Sequence, residues 1–299
     1  MPPAAVKPRF GRVALIGKLR SAEIAVSLRE LRELLEKRGC EVLIERETAS
    51  DLGERGVDYA TIGASANLAI VVGGDGTMLA AARNLVRHHV PLVGVNQGRV
   101  GFMTDIGHDD MQAGIGAILD GKYTLEERAL LEAEIKRNNK SVLQTIALNE
   151  AVVGKGSQGR LIEFNLLIDG EFVYTLRADG VIVATPTGST AYAMSAQGPI
   201  LHPAVPALAL VPLNPHTLSA RPVSVNDRSL IEIVLVRALD ARGHFDGFAL
   251  ADMQQGDRLV LKRSADAVRF VHPPGYSYFA TLREKLRWSE VLEKNRDLE

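Results

Sequence analysis

Two glycine-rich segments carry the residues best suited to chemistry. Gly73-Gly74-Asp75-Gly76-Thr77 follows the apolar run Leu68 to Val72 and precedes a helical stripe at Met78, Leu79, Ala82, Leu85 and Val86. Glycines at such a strand-to-helix turn let backbone amides approach a phosphate closely, and the first turn of the helix adds unpaired N–H groups. Gly73, Gly74 and Thr77 would form that phosphate loop. Asp75 is the anomaly, because a carboxylate repels phosphate. It suits accepting a proton, positioning a hydroxyl or sharing a magnesium ion with a ligand. The same glycines also suit a plain tight turn, and residue types alone leave both readings open. No Gly-x-x-x-x-Gly-Lys-Ser/Thr loop occurs, nor does Gly-Gly-Asp-Gly supply a Gly-x-Gly-x-x-Gly fingerprint.

The second segment, Thr185-Pro186-Thr187-Gly188-Ser189-Thr190-Ala191-Tyr192, follows a strand at Gly180 to Ala184. Its threonines and serine supply uncharged hydroxyl donors, Gly188 permits a tight bend, and Tyr192 can stack or donate. Such a loop suits sugar or phosphate oxygens. The competing reading is a polar turn with a helix N-cap at Ser189 or Thr190. Just upstream, Arg177 and Asp179 are spaced as a charged pair at a strand end, either a surface ion pair or part of a substrate site.

These segments need a scaffold, and hydrophobic periodicity supplies one. Arg12 to Gly17 reads as a strand, Ile24 to Lys37 as a helix with a stripe at Ile24, Leu28, Leu31, Leu34 and Leu35, and Cys40 to Ile44 as a second strand. Glu45 to Ala66 reads as loop and short helix. Leu68 to Val72 and Pro91 to Val95 read as strands with both faces covered, and Asn96 to Phe102 as a glycine-rich turn. The order β-α-β-α-β-α-β implies an open parallel α/β sheet. After a helix at Met111 to Leu119 the runs become short and alternating, which implies antiparallel sheet. They are Leu130 to Lys136, Thr145 to Val153, Leu161 to Ile168, Glu171 to Arg177, Gly180 to Ala184, Leu208 to Pro212, Ser229 to Val236, His244 to Leu250 and Arg258 to Arg263. Turns are expected at Asp169-Gly170, Asp246-Gly247 and Gly256-Asp257. The change of character near 122 to 128 suggests an α/β domain over 1–125, an all-β domain over 126–271 and a C-terminal segment over 272–299 that packs back on the first domain.

Composition narrows the class. The 299 residues carry 35 Lys plus Arg against 36 Asp plus Glu, and 46% are hydrophobic, which excludes a disordered, collagen-like or coiled-coil chain. A net charge of −1 argues against bulk attraction to nucleic acid or an anionic membrane. Met1 to Phe10 lacks the apolar core of a secretory signal, and no run approaches the roughly 20 apolar residues that span a bilayer. The single Cys40 excludes an internal disulfide and a thiolate metal cluster. A soluble cytoplasmic protein is expected.

Taken together the motifs resemble the bacterial NAD kinase family, and the likeness runs from the first strand to about residue 270. Gly73 to Thr77 matches the family's catalytic loop, and Asn96-Gln97-Gly98-Arg99-Val100-Gly101-Phe102 its second glycine-rich turn. Asn149-Glu150 matches a characteristic pair, and Asp179-Gly180 followed by Thr185 to Tyr192 matches its long second motif. Diacylglycerol and sphingosine kinases share the first motif alone; the combination is specific. The resemblance implies an α/β domain followed by an all-β domain, with NAD in a cleft between them, ATP as phosphoryl donor and magnesium or another divalent cation. Asp75 would be the base acting on the 2'-hydroxyl of the adenosine ribose, and Gly76 would contact the dinucleotide. Asn149 and Glu150 would bind its polar edges and sugar, and Arg160 would be a further contact where the family often has histidine. Arg177 and Asp179 would line a site assembled across subunits of a homodimer or homotetramer. Thr187, Gly188, Ser189, Thr190, Ala191 and Tyr192 would surround the adenosine portion. Phe248 departs from the polar residue expected after Asp246-Gly247. The alternatives are a lipid or sphingoid-base kinase and an inactive NAD or NADP sensor.

The remaining candidates read as structural. His88, His89, His202, His216, His244 and His272 lack metal-site spacing and suit solvent or packing roles. His108-Asp109-Asp110 reads as a polar helix start, and Arg137 to Lys140 as a hairpin tip. Met78 and Met103 suit packing, and Cys40 suits burial beside a strand.

Overall fold

A computed structural model describes residues 10–17, 22–98, 101–157 and 160–288. Arg99 and Val100 of the second glycine-rich turn, residues 1–9 of the N-terminal stretch and residues 289–299 of the C-terminal segment lie outside them. The chain divides into one unit formed by Met1–Glu127 with Val268–Glu299 and a second formed by Arg128–Ala267. Among the described residues no helix is long and apolar enough to cross a membrane.

The first unit contains β1 (Arg12–Gly17), α1 (Ala22–Lys37), β2 (Glu41–Ile44), α2 (Arg46–Asp51), α3 (Tyr59–Ser65), β3 (Leu68–Val72), α4 (Asp75–Leu85), β4 (Leu92–Asn96), β5 (Ile106–Gly107) and α5 (Met111–Leu119). The strands lie parallel in the order β4-β3-β1-β2, with β5 also parallel on β4. All five residues of β3 are buried, as a strand covered on both faces requires. Ile24, Leu28, Leu31 and Leu35 of α1 pack into the same core as Val13, Leu15, Ile70 and Val93, and each fully buried leucine contributes about 1.5–3 kcal/mol. The polar stretch after β2 resolves into two short helices because carboxylates cap them. Glu45 accepts the Glu47 and Thr48 amides, and Asp58 accepts that of Thr61.

The second unit is antiparallel. Its strands are β6 (Thr124–Arg137, from Arg128 onward), β7 (Lys140–Ala147), β8 (Glu150–Lys155), β9 (Ile162–Ile168), β10 (Glu171–Ala178), β11 (Gly180–Ala184), β12 (Ala207–Leu213), β13 (Val223–Asn226), β14 (Ile231–Arg237), β15 (Ala241–Phe245), β16 (Ala249–Met253) and β17 (Arg258–His272, up to Ala267). One short helix, α6 (Tyr192–Ser195), interrupts them. One sheet runs β10-β9-β14-β17, β6 and β7 form a hairpin, and a second sheet runs β13-β12-β11-β8-β15-β16. Alternate residues of both sheets, among them Phe164, Ile233, Val153, Val183 and Phe245, share one core. The other face of the second sheet presents Val152, Ile182 and Ala209 to Ala193. The last residues of β17 belong to the first unit, where Phe270 pairs with Leu92, and α7 (Tyr278–Leu286) follows with Tyr278 and Leu282 buried.

Several strand expectations need correction. Thr145 to Val153 is two strands broken at Leu148-Asn149, and His244 to Leu250 is a hairpin whose turn puts Asp246 at φ 54° and Gly247 at φ 72°. β17 continues past Arg263 to His272, and β13 had no counterpart in the expected set. The hairpin tip at Arg137 to Lys140 is present, with Asn138 and Asn139 at φ 49° and 61°.

Candidate functional site

In the first unit the two glycine-rich turns meet at one carboxylate. Gly74 caps α4 without a side chain, so Asp75 opens the helix, where the helix dipole favours negative charge. Its Oδ2 accepts the Phe102 amide at 2.9 Å and its Oδ1 the Met103 amide at 3.0 Å, with Thr104 Oγ1 3.4 Å from Oδ1. The turn beneath is braced in its own right. Thr104 Oγ1 accepts the Asn96 side-chain amide at 3.0 Å, and the Gly101 amide reaches the Thr104 carbonyl at 2.9 Å. Gly101 must be glycine, since a Cβ there would lie 2.0 Å from Asp75 Oδ1. Two amides fix the plane of the carboxylate, the Thr104 hydroxyl donates a longer bond to Oδ1, and Oδ2 keeps a lone pair to accept a hydroxyl proton. Gly74 and Gly76 are exposed beside it, Thr77 is half-buried, and Gly73 is buried.

In the second unit a break in the sheet organises a separate cluster of polar side chains. Asp246, at the tip of the β15–β16 hairpin, accepts the amides of Leu148, Asn149 and Glu150 at 2.7, 2.8 and 3.1 Å. The Asp246 amide in turn donates to the Glu150 carbonyl at 3.0 Å. This clamp holds the break at Leu148-Asn149 between β7 and β8, after which Glu150 opens β8 opposite Ala184 of β11. Asn149 Oδ1 and Glu150 Oε2 are buried without a partner, an arrangement that costs about 1–3 kcal/mol per group unless a ligand satisfies it. Burial, with Asp246 nearby as a second negative charge, raises the Glu150 carboxyl to about 7 against a smaller opposing pull from the Tyr192 amide.

Glu150 opens onto a cavity of about 470 Å³ lined also by Val152, Gly154, Lys155, Asp179, Tyr192, Leu213, Asn214, His244, Asp246 and Gly247. Asp179 does not pair with Arg177. It binds Lys155 at 2.7 Å and Asn214 at 2.9 Å, which hold its carboxyl below the usual range. Arg177 is exposed on β10, 3.9 Å from Glu163, because the two residues bracket the end of a strand and project differently. Arg160 is exposed ahead of β9, and neither arginine lines the cavity. His244 lies in the wall, and burial, followed by the charge of Arg242, lowers its pKa. Phe248 is exposed on the same hairpin.

The Thr185 to Tyr192 loop is built differently from either expectation. Its hydroxyls turn inward. Thr185 Oγ1 donates to the Leu148 carbonyl, Ser189 Oγ to that of Pro186, and Thr190 Oγ1 to that of Thr187. Ser189 and Thr190 therefore cap no helix, and neither turn that follows has a side-chain cap. Gly188 sits against the Asn149 carbonyl, where a Cβ would stand at 2.0 Å. The loop serves as the floor that holds Asn149, while Ala191 and the exposed Tyr192 ring lie at its outer end.

Lys155, Asn214, His244 and Asp246 were absent from the expected site. Asp246-Gly247 carried only a turn signal, and nothing local to the other three marks them, since the β8, β12 and β15 pairings alone bring them together. The chain is similar over most of its length to known proteins. It is 59% identical over 284 residues to an NAD kinase of Aromatoleum aromaticum, covering 94% of this chain and 95% of that one. A crystal structure of an NAD kinase from Archaeoglobus fulgidus in complex with ATP superposes with a TM-score of 0.73 at 26% identity, covering 92% and 98%. That of yeast NADH kinase complexed with NADH superposes with a TM-score of 0.86 at 24% identity, covering 93% and 88%, and speaks to the fold. Residues 13–123 match the ATP-NAD kinase N-terminal domain and residues 148–273 the ATP-NAD kinase C-terminal domain, so the chain belongs to the ATP-NAD kinase family.

Proposed function

We propose that this chain transfers the γ-phosphoryl group of ATP to the 2'-hydroxyl of the adenosine ribose of NAD, forming NADP. The observation that carries the reading is Asp75, a carboxylate at a helix N-terminus with both oxygens oriented by backbone amides. Asp75 takes the proton of the 2'-hydroxyl at about 2.6–3.2 Å as its oxygen bonds to the γ-phosphorus and the bond to the ADP oxygen breaks. Gly73, Gly74, Gly76 and Thr77 leave the start of α4 open to phosphate oxygens. Asn149 Oδ1 and Glu150 Oε2 accept hydrogen bonds from the dinucleotide, which supplies the partners their burial demands. Tyr192 and the loop from Thr187 to Ala191 shape the adenosine site.

Among the described residues no three His, Cys, Asp or Glu side chains are grouped to hold a metal ion. Magnesium suits this chain as an ion carried in on the donor's phosphates, neutralising charge there when bound. Arg160 is a further ligand contact, Arg177 and Asp179 line a site assembled across subunits of a homodimer or homotetramer, and the cytoplasm, where both nucleotides are abundant, is the site of action.

The test incubates purified protein with NAD, ATP and magnesium and detects product with an NADP-specific dehydrogenase, beside an Asp75→Asn variant. Turnover lost in a variant that still folds and binds NAD is the expected result. Equal activity in the variant would remove Asp75 as the base. No turnover of NAD, with phosphorylation of a lipid alcohol instead, would overturn the reaction itself, and NAD binding with no turnover of either would indicate a sensor.

A further inference from the structure

His272 ends β17 in the first unit, and its imidazole is 3% exposed. Its Nδ1 lies 2.7 Å from Asp105 Oδ2 and its Nε2 2.9 Å from Glu126 Oε2. Carboxylates only accept, so both contacts are hydrogen bonds only when both ring nitrogens carry protons. The ring also stacks on Tyr276, with centroids 3.7 Å apart and planes within 6°, a contact that favours a cation. Burial opposes the charge, but the hydrogen bonds and attraction of Asp105 and Glu126 outweigh it and hold the imidazole pKa above its ordinary value. Asp110, at the start of α5, shares with Asp105 and Tyr276 the wall of a cavity of about 440 Å³.

Asp105 is the residue after Thr104, and the Gly101 to Thr104 turn is the one whose amides hold Asp75. We propose that His272 is a positioning residue for Asp75: bridging Asp105 and Glu126 as a cation, it anchors the far end of the turn that aims the Asp75 carboxylate. The proposal rests on Asp75 as the base. His272 touches no reacting atom and acts only through Asp105. The anchor is present while the ring is charged and is lost as pH rises through its elevated pKa, so kcat should carry an alkaline limb that belongs to His272.

The experiment measures kcat and KM against pH for the full chain, His272→Gln, Asp105→Asn and Asp75→Asn, with melting curves for each. The expected result is a kcat lower by about ten- to a hundredfold in His272→Gln and Asp105→Asn at neutral pH. KM should change little, and the alkaline limb should be missing from His272→Gln. Wild-type kcat with the limb intact in a folded His272→Gln would overturn the proposal, whereas activity in Asp75→Asn would overturn the base reading beneath it. In the wild-type protein, ¹⁵N spectra of labelled histidine should show both His272 nitrogens protonated at pH 7. A neutral ring there would overturn the proposal even if the variants do not fold.

Discussion

The amide of Asn149 and the carboxylate of Asp246 meet at 2.8 Å although 97 positions separate them in the chain. Around that contact Asp246 also holds the amides of Leu148 and Glu150, so one side chain braces the break beside which Glu150 lines the cavity.

Replacing Asp246 should therefore damage binding as well as stability. Asp246→Ala leaves three amides without their acceptor, at about 1–3 kcal/mol for each that water does not reach. A melting temperature lowered by several degrees is expected, with a KM for NAD raised more than kcat falls. Calorimetric titration with NAD separates the two effects, and an unchanged affinity in the folded variant would show that the clamp does not shape the site.

Glu150 makes stability depend on pH in an unusual direction. Its carboxyl is raised from 4.5 to about 7, so between those values the folded state binds more protons than the unfolded state. Stability contributed by the protonated group is complete below about pH 4.5 and is lost as pH rises to about 7. The loss is on the order of 3 kcal/mol. Urea titrations across this window should show Glu150→Gln flattening the slope relative to wild type, and identical slopes would contradict the burial argument.

Gly101→Ala tests the packing of the two glycine-rich turns. A methyl group there would sit 2.0 Å from Asp75 Oδ1, so the carboxylate or the turn must move by more than an ångström. Misplacement on that scale costs about a hundredfold in rate. Turnover should fall that far while circular dichroism remains native, and wild-type kcat would mean that the orientation of Asp75 is unimportant.

Asp257, which does not line the cavity beside Glu150, offers a control. Only 1% exposed, it takes two hydrogen bonds from Arg137, at 2.9 and 2.7 Å, and the Gln254 amide at 2.8 Å. Burial works against its charge, yet these bonds keep its carboxyl below the ordinary range. Its stabilisation is present above pH 3.8 and is lost as pH falls through the lower folded value. Asp257→Ala should destabilise by about 3 kcal/mol and leave the KM for NAD unchanged in the folded fraction.

Legibility followed the range of the forces involved. The parallel sheet was readable because LAIVV and the α1 stripe record burial in local periodicity, and Gly73 to Thr77 was readable because a strand-to-helix turn constrains adjacent residues. By its spacing His272 suits only a solvent or packing role. Its carboxylates lie 167 and 146 positions away, and no spacing rule reaches that far. The hydroxyls of Thr185, Ser189 and Thr190 suggested ligand donors by type, but only the folded loop assigns them to its own carbonyls.

By itself, then, the sequence determined the succession of strands and helices in the first unit, the antiparallel character of the second, the motifs and the family, since each is written in residue type and near spacing. Tertiary structure alone decided that the turn of Gly101 packs against Asp75, that Asp246 braces the strand break at Asn149, and that Asp179 pairs with Lys155 instead of Arg177. Those choices depend on which buried donors lack an acceptor once the chain is compact, and the unfolded chain, solvated throughout, has no such shortage.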